Sequence, residues 1–267
     1  MNDAAYELLR KHIHELLRID LSSYKPQQMR RRLDSYVARR AAGSVEQFVR
    51  DLASDKDALD ELRNMLTINV SEFFRDAEQF KRLEKEVFPE LLRTKRGTLK
   101  VWSSACSHGE EPYSMAIILK DLTALHRSEI VATDIDREVL ARARAGGPYN
   151  ISEMRNVSAD RLKGNFTEDA GSYTVADAIR TRVSFREMNL LEDPFVRGFD
   201  LIACRNVMIY FSDEAKQKLF QRFHDALSPG GVLFLGGTEA LLGGGRDLFT
   251  RVGGNFYRKP SEAALAA

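Results

Sequence analysis

Apolar positions in the first part of the chain recur three and four residues apart. They are Leu8, Leu9, Ile13, Leu16 and Leu17, then Met29, Leu33, Tyr36 and Val37, then Leu59, Leu62 and Leu66. This is the stripe of an amphipathic helix, and over residues 1–85 only Gly43 and Pro26 interrupt it. The pattern predicts four or five short helices. One of them carries Val45, Phe48 and Val49 and is expected to be capped by Ser44. Beyond Gly97 the period changes. Short runs rich in β-branched and aromatic residues, Leu99–Ser103, Glu129–Thr133, Val183–Met188, Phe199–Cys204 and Gly231–Leu235, alternate with helical stretches. Such alternation predicts βαβ units and a mostly parallel sheet. Leu248–Val252, the pair Gly253-Gly254 and Asn255–Arg258 predict a hairpin that closes the sheet at seven strands, and the last seven residues a frayed tail. The expected class is therefore α/β, with an all-helical N-terminal domain over 1–85 and a sheet domain over 86–267.

One stretch breaks the alternation. Between Gly146 and Arg182 lie turn signals at Gly146-Gly147-Pro148 and Gly171-Ser172, a short helix near Ser158–Lys163, and Tyr173-Thr174-Val175. Simple connections mostly run about 2–6 residues, so residues 147–182 are expected to form a small β-insert of two or three strands over the ligand edge of the sheet.

Composition narrows the class of function. The chain is 43% hydrophobic and 30% charged, with a net charge of +1. That balance carries no nucleic-acid signature. The two cysteines, Cys106 and Cys204, have no neighbouring His or Cys at ligand spacing, so neither a disulfide scaffold nor a structural metal site is expected. No apolar run approaches a membrane span, and Asp3 stands where a signal peptide carries a base. The expected location is the cytoplasm.

Open α/β sheets bind ligands beyond the carboxyl ends of their strands. The turn after the first strand, Ser103-Ser104-Ala105-Cys106-Ser107-His108-Gly109, is rich in small residues. It is neither G-x-G-x-x-G nor a P-loop, so phosphates are poorly served. Asp134 ends the second strand, where an acid accepts both hydroxyls of a ribose; a helix N-cap is the alternative. Asn189-Leu190 follow the third strand, where an amide and an apolar side chain suit an adenine edge and face. Leu227-Ser228-Pro229-Gly230-Gly231 makes a helix-to-strand turn. An adenosine without phosphates, in this order of pieces, points to S-adenosylmethionine and a class I methyltransferase rather than a dehydrogenase. The residues after the fourth strand, Cys204-Arg205-Asn206-Val207-Met208-Ile209-Tyr210-Phe211, contain neither Asn/Asp-Pro-Pro-Tyr nor Pro-Cys, which argues against a nucleobase acceptor.

Four separated motifs stand in one order: Asn69-Val70-Ser71-Glu72-Phe73-Phe74-Arg75-Asp76, Val101 through Ser114 with Gly109-Glu110-Glu111-Pro112-Tyr113, Asp134-Ile135-Asp136, and Cys204 through Phe211. Together they resemble the CheR family, bacterial methyltransferases that esterify glutamates on chemoreceptor signalling helices. The resemblance runs to about Tyr257. It implies a helical substrate-docking domain followed by a class I, Rossmann-like methyltransferase domain, with S-adenosylmethionine as methyl donor and S-adenosylhomocysteine as product. It also implies cofactor contacts from Asn69, Ser71, Arg75, Glu111, Asp134, Asn189, Leu190, Arg205 and Asn206. Ser71 departs from the family's usual threonine but keeps the hydroxyl.

Each residue has a plainer alternative: Asn69 and Ser71 as helix caps, Glu110 or Glu111 as a dipole partner at a helix start, Arg205 as a surface ion pair, Tyr210 as a core aromatic.

A substrate glutamate with pKa near ~4.3 is already ionised at neutral pH and requires no general base. Arg75 is then the expected carboxylate clamp, and Tyr210 a hydrogen-bond donor or a wall of the methyl channel. Residues 10–50 hold ten basic and four acidic side chains. The arginines around 27–40 fall mostly outside the apolar stripe, as a basic ridge suited to glutamate-rich chemoreceptor helices.

Some family members hold a receptor's C-terminal pentapeptide on the β-insert. Here Phe166 to Phe185 is shorter and its loop has only Gly171, so independence of that tail is expected. The family default is a monomer. A cofactor-binding regulatory protein without transfer activity is the alternative from another class, and a methyltransferase acting on small molecules or other proteins is a third.

Overall fold

The computed structural model describes residues 1–40 and 45–261. Ser44, and all but the first residue of the tail, lie outside the described residues. The chain divides into two compact units, Met1–Asn69 with Tyr210–Lys216, and Val70–Ile209 with Gln217 onward. The division expected near residue 85 thus falls at 69/70. The reason is that Phe73, Phe74, Phe80, Leu83 and Phe88 are buried in one core with Val101, Leu201 and Phe234 of the sheet.

In the first unit the helices are α1 (Asp3–Leu17), α2 (Pro26–Arg40), α3 (Val45–Ser54) and α4 (Lys56–Thr67). Each begins or packs as its sequence directs. The Asn2 side chain accepts from the Ala5 amide at the start of α1, Pro26 opens α2 where its missing N–H costs nothing, and Asp55 accepts from the Ala58 amide at the start of α4. The expected stripe Met29, Leu33, Tyr36, Val37 is the buried face of α2. Each fully buried aliphatic side chain of this kind contributes roughly 1.5–3 kcal/mol. Tyr36 also satisfies its hydroxyl by donating to the Ala58 carbonyl at 2.8 Å. The distant segment Tyr210–Ser212 pairs with residues 23–25: the Lys25 amide donates to the Tyr210 carbonyl at 2.9 Å and the Ser212 amide to the Ser23 carbonyl at 2.8 Å. The Phe211 ring meets Tyr24 edge-on at 5.1 Å.

The second unit opens with α5 (Ala77–Arg82), a π-helical turn over Leu83–Val87 and α6 (Phe88–Thr94). Then follow β1 (Leu99–Ser103), α7 (Glu110–Asp121), β2 (Ser128–Asp134), α8 (Arg137–Ala145), α9 (Ala159–Asn165), β3 (Phe166–Asp169), β4 (Ser172–Val175), α10 (Asp177–Arg180), β5 (Val183–Glu187), β6 (Phe199–Cys204), α11 (Asp213–Ala226, its first turn in the first unit), β7 (Leu227–Leu235), β8 (Thr250–Gly253) and β9 (Phe256–Arg258). The sheet order is β5-β2-β1-β6-β7-β9-β8. Its first five strands are parallel, and β9 and β8 close it as an antiparallel hairpin. This is the expected seven-stranded, mostly parallel sheet. One strand differs: β7 starts at Leu227, because Phe199 already pairs with Leu227 ahead of an irregularity that admits Pro229-Gly230.

The insert is a two-stranded hairpin, β3 with β4, plus an isolated pairing of Tyr149 with Tyr173. Its two-residue turn, Ala170-Gly171, has positive φ at both positions, the geometry that matches strand twist.

Candidate active site

Four strands of the second unit end side by side, so the loops after β1, β2, β5 and β6 share one edge of the sheet. The loop after β1 curls back through Ser107, at φ 48°, and Gly109, at φ 97°. A side chain on Gly109 would stand 3.0 Å from Ala143 Cβ and 3.1 Å from the Tyr113 ring, so glycine is needed there to bring the loop onto α7 and α8.

Asp134, at the end of β2, is buried, and its carboxyl is pushed up to about 6 by burial, against backbone bonds that lower it. Oδ2 accepts from the Ser107 amide at 2.8 Å and Oδ1 from the Asp136 amide at 3.1 Å. The helix-cap alternative belongs to Asp136, which accepts from the amides of Glu138 and Val139. Asp134 instead ties the loops after β1 and β2 together and has acceptor capacity left on both oxygens.

Glu111, in the first turn of α7, is held by the Ser103 hydroxyl at 2.7 Å and by Arg205 Nη1 at 3.1 Å. Arg205 is no surface ion pair. It is 5% exposed, with Nη2 2.6 Å from Asp76 Oδ2 and 2.9 Å from the Arg75 carbonyl. Its guanidinium lies over the rings of Phe234, at 4.6 Å, and Phe80, at 5.2 Å. One cation therefore joins the loop after β6, the first turn of α7 and the segment before α5. Asp76 was invisible in the sequence as a member of this group; its only signal is its place beside Arg75.

Ser71 and Arg75 lie in that segment, which is pinned by the Phe73 amide on the Glu153 carbonyl at 3.0 Å and by the Phe74 amide on Ser114 Oγ at 2.9 Å. Arg75 is partly exposed and its Nη1 donates to the Val70 carbonyl at 2.7 Å. Asn189 and Leu190, both buried, follow β5; Asn189 Oδ1 accepts from the Leu191 amide at 3.0 Å and so shapes the turn. Asn206 follows Arg205 with a left-handed backbone, φ 60°. Asn69 and Tyr210 belong to the first unit. There Asn69 Nδ2 donates to Thr67 Oγ1 at 2.9 Å, and the Tyr210 ring lies 5.7 Å from the Arg32 guanidinium.

Glu110 neighbours a different set of side chains from Glu111. It is fully buried, and neither carboxyl oxygen has a hydrogen-bond donor. His108, Glu110 and Glu153 bring one ligand atom each within 4.8 Å of one another. The positive charge of this cluster comes from Arg142, whose Nη2 stands 2.9 Å from both Glu153 oxygens. Burial pushes the Glu110 carboxyl up to about 8, and burial with Arg142 lowers the His108 imidazole.

Chemically, this arrangement can hold and orient a ligand. A buried strand-end acid, a carboxylate at a helix start and an amide-bearing turn suit an adenosine with an amino-acid tail, in a first turn that does not cater for phosphates. Sequence comparison agrees. The family described as CheR methyltransferase, SAM binding domain, matches residues 69–257, and the CheR all-alpha domain matches residues 4–67. The chain belongs to the CheR methyltransferase family.

Within it, a chemotaxis protein methyltransferase of Listeria innocua is 42% identical over 226 residues, covering 85% of this chain and 86% of that one. Chemotaxis protein methyltransferase 1 of Pseudomonas aeruginosa is 36% identical over 249 residues, covering 90% and 91%. Among solved structures, a TehB-like SAM-dependent methyltransferase from Corynebacterium glutamicum aligns with a TM-score of 0.37 at 13% identity, covering 69% of this chain and 94% of that one. By its family and these chemotaxis methyltransferase relatives the chain is an S-adenosylmethionine-dependent methyltransferase, and it has the α/β architecture its sequence predicts. Among the described residues no helix is long and apolar enough to cross a membrane.

Proposed function

We propose that this enzyme methylates glutamate side chains on the cytoplasmic helices of chemoreceptors, forming methyl esters for sensory adaptation. The observation that carries the reading is the Arg205 cluster: Glu111, Asp76 and the Arg75 carbonyl gathered on one buried guanidinium, with the Arg75 side chain left at the surface. S-adenosylmethionine, when bound, supplies an electrophilic methyl group on a sulfonium. Asp134 is assigned to the ribose, Glu111 to the amino-acid part, and Asn189, Leu190 and Asn206 to the adenine side, with Arg205 bracing the wall. Asn69 and Ser71 complete the set by family resemblance.

An ionised glutamate needs positioning and removal of water rather than a base. Arg75 provides a planar donor fork for it, and Tyr210 is assigned by family resemblance as a hydrogen-bond donor or a wall of the methyl channel. Positioning by one or two bonds leaves the nucleophile reactive.

The helical domain is assigned to substrate docking. Its basic ridge is narrower than the sequence count suggests. Arg30 pairs with Asp3 at 2.7 Å, Arg40 with Glu61, and Arg32 donates to the Met65 carbonyl at 3.0 Å. Arg31 and Arg39 remain exposed on α2 and match glutamate-rich helices in sign. The enzyme is read as a cytoplasmic monomer.

Transfer of labelled methyl from S-adenosylmethionine to purified receptor cytoplasmic fragments, followed by alkaline treatment, tests the reading. Base-labile label on glutamates is expected. Base-stable label would move the chemistry to nitrogen or carbon and end the glutamate assignment. Cofactor binding with no label on any chemoreceptor fragment would favour the non-catalytic regulatory alternative.

A further inference from the structure

Beyond Leu235 the chain turns through Gly236-Gly237-Thr238-Glu239, and the Glu239 carboxylate, 6% exposed, folds back between two loops. Oε2 accepts from the Gly236 amide and from the Asn206 amide, both at 2.8 Å, and Oε1 accepts from the Met208 amide at 2.8 Å. Three backbone donors from two loops converge on one side chain. The fit is tight: a Cβ on Gly236 would stand 2.5 Å from Glu239 Oε2 and 2.9 Å from the Asn206 amide nitrogen. The residue that carries this carboxylate is itself held. Asn255 Nδ2 donates to the Gly236 carbonyl at 2.6 Å and to the Glu239 carbonyl at 3.1 Å, and the Asn255 carbonyl accepts from the Leu235 amide at 2.9 Å.

We infer that Glu239 is a positioning residue for methyl-donor binding, fixing the backbone of the Asn206–Met208 loop against the end of β7. The inference rests on reading Arg205 and Asn206 as a wall of the cofactor pocket. Burying a carboxylate is costly unless donors compensate it, and a loop that only had to turn would be served by a neutral acceptor. A carboxylate accepting several amides gives shorter, stronger bonds, and it grips this loop on either side of Val207. Asn206 sits at positive φ, a conformation that needs support from outside the loop. Arg205 projects from the same backbone toward Glu111 and Asp76, so an error at Asn206 is passed to the first turn of α7. Glu239 touches neither substrate nor cofactor in this account; it acts through the loop it holds.

Calorimetric titration of the full chain with S-adenosylhomocysteine, beside amide hydrogen exchange, provides the test. Glu239→Gln is expected to weaken binding at least tenfold and to speed exchange at Asn206 and Met208 at least tenfold, with amides inside β6 and β7 unchanged. The KM for S-adenosylmethionine is expected to rise while the KM for the methyl acceptor stays constant, a split that general destabilisation does not produce.

Gly236→Ala displaces the carboxylate without removing it and should give the same pattern if Glu239→Gln does not fold. Asp134→Asn serves as the reference for the pocket itself. If Asp134→Asn weakens binding and both loop variants bind within threefold of wild type, the inference about Glu239 is overturned and the pocket reading stands. If all three bind as wild type, both fall.

Discussion

Replacing Glu110 by glutamine should make this protein more stable, and only at higher pH. Glu110 is fully enclosed in the first turn of α7, its two oxygens lack donors, and its neighbours are His108, Glu153, Arg142 and Tyr149. The buried carboxyl keeps its proton up to about 8, against an ordinary value of 4.5. The unfolded chain releases that proton near 4.5, so between these limits the native state binds more protons and stability falls as pH rises. Below the lower limit the cost is absent; above the upper it is complete.

One pKa unit corresponds to about 1.4 kcal/mol, so the cost is roughly 3 kcal/mol at neutral pH and on the order of 4–5 kcal/mol beyond pH 8. Glutamine keeps the shape and removes the titration. The variant and the wild type should therefore unfold at similar urea concentrations near pH 4.5 and diverge by several kcal/mol at pH 8.5, glutamine the more stable. Other raised groups, such as Asp134 and Glu239, are common to both proteins and cancel in the difference. Trp102, the sole tryptophan, is buried on β1, so its fluorescence follows the second unit specifically. A difference that stays constant across this range, or a glutamine variant that is weaker at alkaline pH, would refute the reasoning.

The proposed ribose assignment of Asp134 gives a second pH signature: affinity for S-adenosylhomocysteine, measured by calorimetry, should fall as pH drops through about 6, because a protonated acid cannot accept from two hydroxyls at once. Removing Arg205 (Arg205→Met) strands the Glu111 carboxylate in the interior and should cost about 3–5 kcal/mol in urea unfolding; a loss below about 1 kcal/mol would mean that water reaches Glu111. Arg75→Ala should abolish methyl transfer while S-adenosylhomocysteine still binds measurably; complete loss of binding would make Arg75 chiefly a cofactor ligand. A fusion protein ending in a receptor pentapeptide should not bind at micromolar strength, and binding would overturn the independence expected from the short Phe166–Phe185 stretch with its single Gly171.

What could be read from the sequence was whatever depends on local periodicity. The stripe on α2 and the apolar runs of β1, β2 and β6 follow from spacing alone, because a central parallel strand covered on both faces is largely apolar. The place of Asp134 at the end of β2 was legible for a related reason: a strand end in a known order is a fixed place. The burial of Arg205 was not, since a charged residue is by default at the surface, and the Glu111 and Asp76 carboxylates and the Phe80 and Phe234 rings that make it tolerable come from other segments of the chain. Glu239 was hidden for the same cause. Nothing near Gly236-Gly237-Thr238-Glu239 shows that the amides of Asn206 and Met208 will stand opposite it. The domain boundary was misplaced because helical periodicity continues through residues 77–94, while the side chains it presents belong to the core of the sheet.

The strip Tyr210–Ser212 lends the helical unit a backbone edge for residues 23–25 and a ring for Tyr24. That unit is therefore not a portable module. Cut out as residues 1–69, or grafted onto another enzyme, it would leave the Lys25 amide and the Ser23 carbonyl without these partners and would uncover one side of Tyr24. Its inheritance is bound to the stretch that follows β6, so exchanging this unit between family members would mean exchanging two separated pieces of chain together.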